Sequence, residues 1–358
     1  MHLFADISGH GLGHLAISAP ILNALARKRT DLRLTIRSAI PTERLRQRIG
    51  IEFTHWQQAS DFGFRMLDAL SVDRIASAAE YREVHADWDR RVARDAATIS
   101  DLAPDLVFAN VSYLALAGAA AAGVPAIAAC SLNWADLFAH FFGGEAWAAP
   151  IHAEMLAAYR SASAFLRITP GMPMAKLARV VPIGVVASPG RPCDLGLPTG
   201  TRAVLLALGG ISHRLPVEDW PTRPDIFWIL PEEWRCRRAD TRSVESFGLA
   251  FPDLLASVYA VVTKPGYGTF TEAAVNGTPV IFQRRADWPE QDCLIEWLTS
   301  NGNCIEVSGS LNSGIPTSVL EHVASASPRR AARPTGAEEA AEILMDIGSR
   351  ASGCRSPS

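Results

Sequence analysis

The stretch that most constrains the fold runs from Val258 to Phe282. An apolar segment, Val258 to Val262, is followed by the glycine-rich turn Lys264-Pro265-Gly266-Tyr267-Gly268. A helix is predicted from Thr269, with Glu272 in its first turn, and a second apolar strand follows at Pro279 to Phe282. Strand, glycine turn, helix and strand make a unit of a parallel sheet. Its turn leaves backbone N–H groups pointing at one spot beside a helix N-terminus, a place suited to an anion such as phosphate.

A second place of this kind lies near the start. Leu3 to Ile7 reads as a short buried strand, Ser8-Gly9-His10-Gly11-Leu12-Gly13-His14 as a tight turn, and Leu15 to Ala26 as a helix. The two histidines of this turn, His10 between the glycines and His14 directly after them, argue against a plain dinucleotide fingerprint. Strand-like and helix-like segments alternate on both sides of a Pro- and Gly-rich stretch, the pattern of doubly wound parallel sheets. The predicted organisation is an N-terminal Rossmann-like domain over 1–181, a linker over 182–200 and a C-terminal one over 201–324. A connector, a final helix and a disordered tail are expected over 325–358, and one long polar helix over Val72 to Ser100.

A length of 358 residues suits two such domains, and 48% hydrophobic with 20% charged residues is ordinary for a globular enzyme. The net charge of -3 gives no reason to expect a nucleic-acid partner. The six cysteines show neither C-x-x-C pairs nor histidines at metal spacing, and no secretory signal order opens the chain, so a cytoplasmic protein is expected. The apolar run Leu114 to Leu132 is broken by Gly123-Val124-Pro125 and reads as a buried helix and strand, so no transmembrane segment is expected. Asp87-Trp88-Asp89 places its carboxylates on diverging faces of a helix and is not expected to hold a metal.

Several motifs, in this order, resemble the GT-B nucleotide-sugar glycosyltransferases. They are Gly9-His10-Gly11-Leu12-Gly13-His14, Ser131-Leu132-Asn133-Trp134-Ala135-Asp136-Leu137-Phe138, Arg167-Ile168-Thr169-Pro170-Gly171-Met172-Pro173-Met174, Gly209-Gly210, and Gly266-Tyr267-Gly268-Thr269-Phe270-Thr271-Glu272 with Arg284-Arg285. The likeness spans roughly residues 1 to 300 and is nearest to the glycosyltransferase-like N-terminal domain of plant L-arabinokinases and its free-standing bacterial relatives. It implies an α/β chain of GT-B type, two Rossmann-like domains with a cleft between them. No kinase domain follows here, so sugar kinase activity is not expected.

The resemblance further implies a glycosyltransferase that moves a sugar from a nucleoside diphosphate, UDP by the habit of the group, to a hydroxyl or amine of a small-molecule or lipid-linked acceptor. No cofactor or metal is expected. Glu272 would accept both ribose hydroxyls, as a carboxylate can, although Thr269 with Glu272 also reads as a helix capping box. Gly266, Tyr267, Gly268 and Thr269, with Gly209, Gly210, Gly11 and Gly13, would approach the diphosphate, and Lys264 and Arg285 would offset its charge. Asp287, Glu290 and Gln291 would meet the donor sugar, and the segment ending at Phe251 the base.

His14 matches the residue that deprotonates the acceptor in related plant enzymes, with His10 as its rival, and imidazole suits that task. Where those enzymes orient the histidine with an aspartate, this chain offers Asn110, with Asp136 as a possible substitute. The aromatic run Trp134, Phe138, Phe141, Phe142 and Trp147 reads as a pocket lining, a membrane-facing patch or core. Two other readings stay open: a non-hydrolysing nucleotide-sugar 2-epimerase, and a catalytically silent nucleotide-sugar-binding module.

Overall fold

The computed structural model describes residues 1–211, 213–325 and 332–353. The chain divides into two compact units. The first contains β1 (His2–Ile7), α1 (Leu12–Lys28), β2 (Arg33–Arg37), α2 (Thr42–Arg46), β3 (Thr54–Trp56), α3 (Arg74–Ala86), α4 (Trp88–Leu102), β4 (Leu106–Asn110) and α5 (Tyr113–Ala121). It continues with β5 (Ala126–Cys130), α6 (Trp134–Phe142), α7 (Ala148–Ser161), β6 (Ala164–Ile168) and β7 (Val180–Ile183). Its seven strands are parallel, in the order β3-β2-β1-β4-β5-β6-β7.

The second unit holds β8 (Arg202–Leu206), β9 (Ile226–Leu230), β10 (Thr241–Ser243), α8 (Phe251–Ser257), β11 (Ala260–Thr263), α9 (Tyr267–Asn276), β12 (Val280–Phe282), α10 (Gln291–Asn301), β13 (Cys304–Glu306) and α11 (Thr317–Ser325). These strands are also parallel, ordered β10-β9-β8-β11-β12-β13. The unit includes Leu67–Ser71 from early in the chain, and Ala69 is fully buried in its core beside Val204 and Leu206. The last helix, α12 (Gly336–Gly353), belongs to the first unit, where Arg27 and Lys28 of α1 pair with Glu338 and Glu342.

Both sheets are covered on two faces, which is why their central strands are nearly continuous apolar runs. Leu3, Phe4 and Ala5 are fully buried. Asp6 interrupts that run, and its charge is met by Arg37 from β2, which also binds Asp95 from α4. Among the described residues no helix is long and apolar enough to cross a membrane.

The expected pair of Rossmann-like domains is what the chain forms, with some local differences. The helix expected over Val72 to Ser100 is two, α3 and α4, broken at Asp87. The expected linker begins inside β7, and the units divide between Val186 and Ala187. Pro182 sits there without cost to the sheet because β7 is an edge strand. The final helix runs to Gly353, into the expected tail; residues 354–358 of that tail and 326–331 of the expected connector lie outside the described residues.

Candidate functional site

In each unit the strand order reverses direction once, between β1 and β4 in the first and between β8 and β11 in the second. Crevices at such switch points, beyond the carboxyl ends of the strands, are where open α/β sheets bind ligands. His14 and Asn110 lie at the first of these places, and Lys264 and Gly266 at the second.

In the first unit, α1 opens at Leu12 rather than Leu15, with Gly11 as its N-cap, so His14 stands in the first turn. A Cβ added at Gly11 or Gly13 would meet nothing within 4 Å, so both positions border open space. Ser8 N, just past β1, donates to Asn110 O at the end of β4 over 2.6 Å. His14 Nδ1 lies 2.9 Å from Asn110 Oδ1, and Asn110 Nδ2 donates to His14 O over 3.4 Å. With the amide so turned, Nδ1 carries the proton and Nε2 presents a lone pair. Burial lowers the histidine to about 4, against the raising effect of the Asn110 bond, so the ring is neutral near pH 7.

Asp136 does not take the place of a carboxylate beside His14. It belongs to the N-terminus of α6, where Asn133 Oδ1 accepts from Asp136 N and Asn133 Nδ2 donates to Asp136 Oδ2, each over 2.8 Å. The carboxylate that the fold brings near the histidines is Asp61. Its Oδ1 accepts from Ser8 Oγ over 2.8 Å and its Oδ2 from Trp134 Nε1 over 2.7 Å. The Trp134 ring packs against His10 and His14, with centroids 5.1 and 5.7 Å apart. Gly63, at φ +63°, seats the Asp61 loop on this cluster: a Cβ there would fall 2.7 Å from the His10 ring and 2.9 Å from that of Trp134.

Burial, and then the charge of Asp6, push Asp61 up to about 7, against the opposing bonds from Trp134 and Ser8. The native carboxyl therefore keeps a proton that an unfolded chain releases near its ordinary 3.8. Because the folded state binds more protons across that window, this group's contribution to stability falls as pH rises from about 4 to 7. Asp61→Asn is thus expected to be more stable than the parent at pH 8, by about 1–2 kcal/mol after allowance for partial exposure, with the gap closing near pH 4. Urea unfolding at the two pH values measures it, and equal stability at pH 8 refutes it.

In the second unit, the turn after β11 carries Lys264 and leads through Gly266, the N-cap, into α9. A Cβ at Gly209 or Gly266 would lie 3.6 or 3.5 Å from Lys264 Nζ, so the two glycine turns flank that ammonium. Gly209 adopts φ +91°, open in practice to glycine; Gly210 beside it is exposed. Burial first and the charge of Arg285 second lower Lys264 to about 7, with Glu290 opposing. Arg285 is lowered to about 10 by burial, opposed by Glu290 and Asp68. Its guanidinium lies 3.7 Å from the Trp288 ring centroid, and Trp288 Nε1 donates to Glu290 Oε2 over 3.1 Å.

Gln291 is engaged with its own loop: Oε1 accepts from Arg285 N over 3.0 Å and Nε2 donates to Arg285 O over 3.3 Å. Ala286 N donates to Leu70 O over 3.1 Å, so Leu67–Ser71 braces the same loop. Asp287 is exposed, while Thr269 and Phe251, the first residue of α8, are half-buried. Because α9 opens at Tyr267, two residues earlier than expected, Glu272 lies in its second turn and is no capping-box partner of Thr269. It is 1% exposed. Trp134, Phe138, Phe141 and Phe142 are core residues rather than a surface patch. Among the described residues no three His, Cys, Asp or Glu side chains gather as a metal site requires.

No family model matches the sequence. Over 95% of the chain it is 24% identical to L-arabinokinase of Arabidopsis thaliana, and the chain spans 34% of that protein's length. Among solved structures, the glycotransferase of kitacinnamycin superposes with a TM-score of 0.59 at 16% identity, covering 99% of this chain and 98% of the other. The glycosyltransferase VinC, solved in complex with DTDP, gives 0.52 at 15% identity, over 98% and 95% of the two chains. The two units therefore have the fold of the GT-B glycosyltransferases.

Proposed function

We propose that the chain is a glycosyltransferase that moves a sugar from a nucleoside diphosphate to an acceptor hydroxyl or amine without a metal ion. The observation that carries this reading is the Lys264 ammonium, flanked by the turns of Gly209 and Gly266 and depressed to about 7 by burial and by Arg285. An ammonium held between two glycine turns, with the Arg285 guanidinium close enough to lower it, suits the charge of a diphosphate. The sugar's leaving group is such an anion, and it gains charge as its bond to the sugar breaks. His14 Nε2 offers the acceptor hydroxyl a lone pair that the Asn110 bond holds in position.

A UDP-linked sugar is the first donor to test, and a dTDP-linked one the next, since VinC was solved with DTDP. Glu272, buried on α9, is assigned to the ribose hydroxyls. Glu272→Ala is then expected to weaken nucleotide binding by about 1.5–3 kcal/mol, the range for hydrogen bonds to a charged group. Calorimetry against UDP, dTDP and their sugars measures this, and unchanged affinity for all of them removes the ribose from α9. The same panel separates the rival readings. An epimerase converts donor alone, and a binding module holds donor without releasing nucleoside diphosphate to any acceptor.

A further inference from the structure

The Asp61 carboxyl is not used by the reading above. It lies in irregular chain between β3 and α3, half-buried, with one donor on each oxygen: Ser8 Oγ at 2.8 Å and Trp134 Nε1 at 2.7 Å. A carboxylate has about four acceptor positions, so each oxygen keeps one for a further partner. The indole that holds it is the one against which both His10 and His14 pack. The ionisable groups around it are Asp6 of β1, Arg37 of β2, which is shared with Asp95 of α4, the histidines of the first turn, and Tyr81, Tyr113 and Tyr159 of α3, α5 and α7.

Resting on the glycosyl-transfer reading, we propose that Asp61 is the group that takes the acceptor's proton, while His14 Nε2 orients the acceptor hydroxyl. In the step, the acceptor oxygen bonds to the anomeric carbon as the bond from that carbon to the diphosphate oxygen breaks. The bonding pair leaves with the nucleoside diphosphate. The acceptor's proton passes to the Asp61 carboxylate, which becomes a neutral acid.

Proton affinity and surroundings favour this division of labour. A base works best when its pKa lies near the working pH. Asp61 stands at about 7 and His14 at about 4, because the histidine is buried against an amide rather than a carboxylate. A proton on His14 would make an imidazolium in a buried site with no counter-charge on its Nδ1 side. A proton on Asp61 removes a charge that sits unfavourably near Asp6.

Asp61→Asn keeps an acceptor oxygen for Trp134 and is the variant to test, with two measurements on the whole chain. In the first, the Trp134 indole N–H resonance, assigned with Trp134→Phe, is followed between about pH 5 and 9. It is expected to shift with a midpoint near 7 in the parent and to stay flat in Asp61→Asn. In the second, nucleoside diphosphate release from UDP-glucose, UDP-galactose and dTDP-glucose is followed with water as acceptor, and binding by calorimetry. Asp61→Asn is expected to bind as the parent does, to turn over about 10²–10⁴-fold more slowly, and to lose the fall in rate below neutral pH.

A flat Trp134 resonance in the parent overturns the assignment, as does an Asp61→Asn chain with the parent's rate and pH profile. A parent that binds a donor yet releases no nucleoside diphosphate overturns it too. A parent that binds none of the three overturns glycosyl transfer itself and the assignment with it, and the Trp134 titration, which needs no donor, tells the two failures apart.

Discussion

Lys264→Met is expected to weaken nucleoside diphosphate binding by about 10²–10³-fold, or roughly 3–4 kcal/mol, as removal of one partner from a desolvated charge contact does. The loss should be shared by the free diphosphate and its sugar conjugates, because the contact is to the anion. Proton linkage gives a second signature. Free Lys264 is held near 7 by burial and by Arg285, and a bound diphosphate supplies the counter-charge and raises it. Binding near pH 7 should therefore take up a fraction of a proton, whereas near pH 5 the lysine is already charged and uptake vanishes. Above about pH 8 the free lysine is neutral, and affinity should fall up to tenfold per pH unit. Calorimetry in buffers of different ionisation enthalpy reads both effects. Affinity that is level from about pH 6 to 9, or untouched by Lys264→Met, takes the diphosphate away from this turn.

His14→Ala is expected to slow nucleoside diphosphate release by about 10²-fold, the cost of losing the group that orients a reactant. Nucleotide affinity should stay at the parent's value, since Lys264 and Glu272, the side chains proposed to hold the diphosphate and the ribose, belong to the other unit. The loss should be the same across about pH 6–8, because burial confines the change of charge on His14 to the region of 4. Steady-state rates at three pH values together with a binding isotherm decide it. Undiminished turnover removes His14 from the chemistry. A defect that appears only where Asp61 is protonated makes the histidine a support for that carboxyl.

The parts of the candidate site that could be read from sequence lie on short local motifs. His14 and Asn110 stand at or beside the ends of β1 and β4, where an apolar run gives way to polar residues. Lys264 and Gly266 follow β11 in the same way. Asp61 was not legible because the chain from β3 to α3 has no periodicity, and its partners Ser8 and Trp134 are 53 and 73 residues away. An aspartate ahead of Phe62-Gly63-Phe64 was the available signal, and Gly63 is the residue whose conformation seats the loop. Helix starts were misplaced where glycine occupies the cap: α1 and α9 open at Leu12 and Tyr267, since the helix uses backbone N–H groups that carry no sequence signature. The short edge strands β7, β10 and β13 carry little sequence signal, because each pairs on one side only and its residues are mostly half-buried or exposed rather than an apolar run.

The division of the chain bears on the order in which the protein can be completed during synthesis. The polypeptide passes from one unit to the other after Met66, Ser71, Val186 and Pro334, so neither unit is a single run of sequence. When residues 1–186 have left the ribosome, the sheet of the first unit is fully present but the α1 surface that receives α12 is bare. Gly184 N and Val185 O still await Glu339 and Gly336. The half translated first is thus the half finished last, and it must wait with apolar surface uncovered while some 150 residues of the second unit emerge, a delay of about 7–30 s at ordinary elongation rates. The second unit faces the opposite condition, because Leu67–Ser71 is already present before any of its strands exist. A nascent chain arrested before α12 is the form of this protein with most to gain from a chaperone.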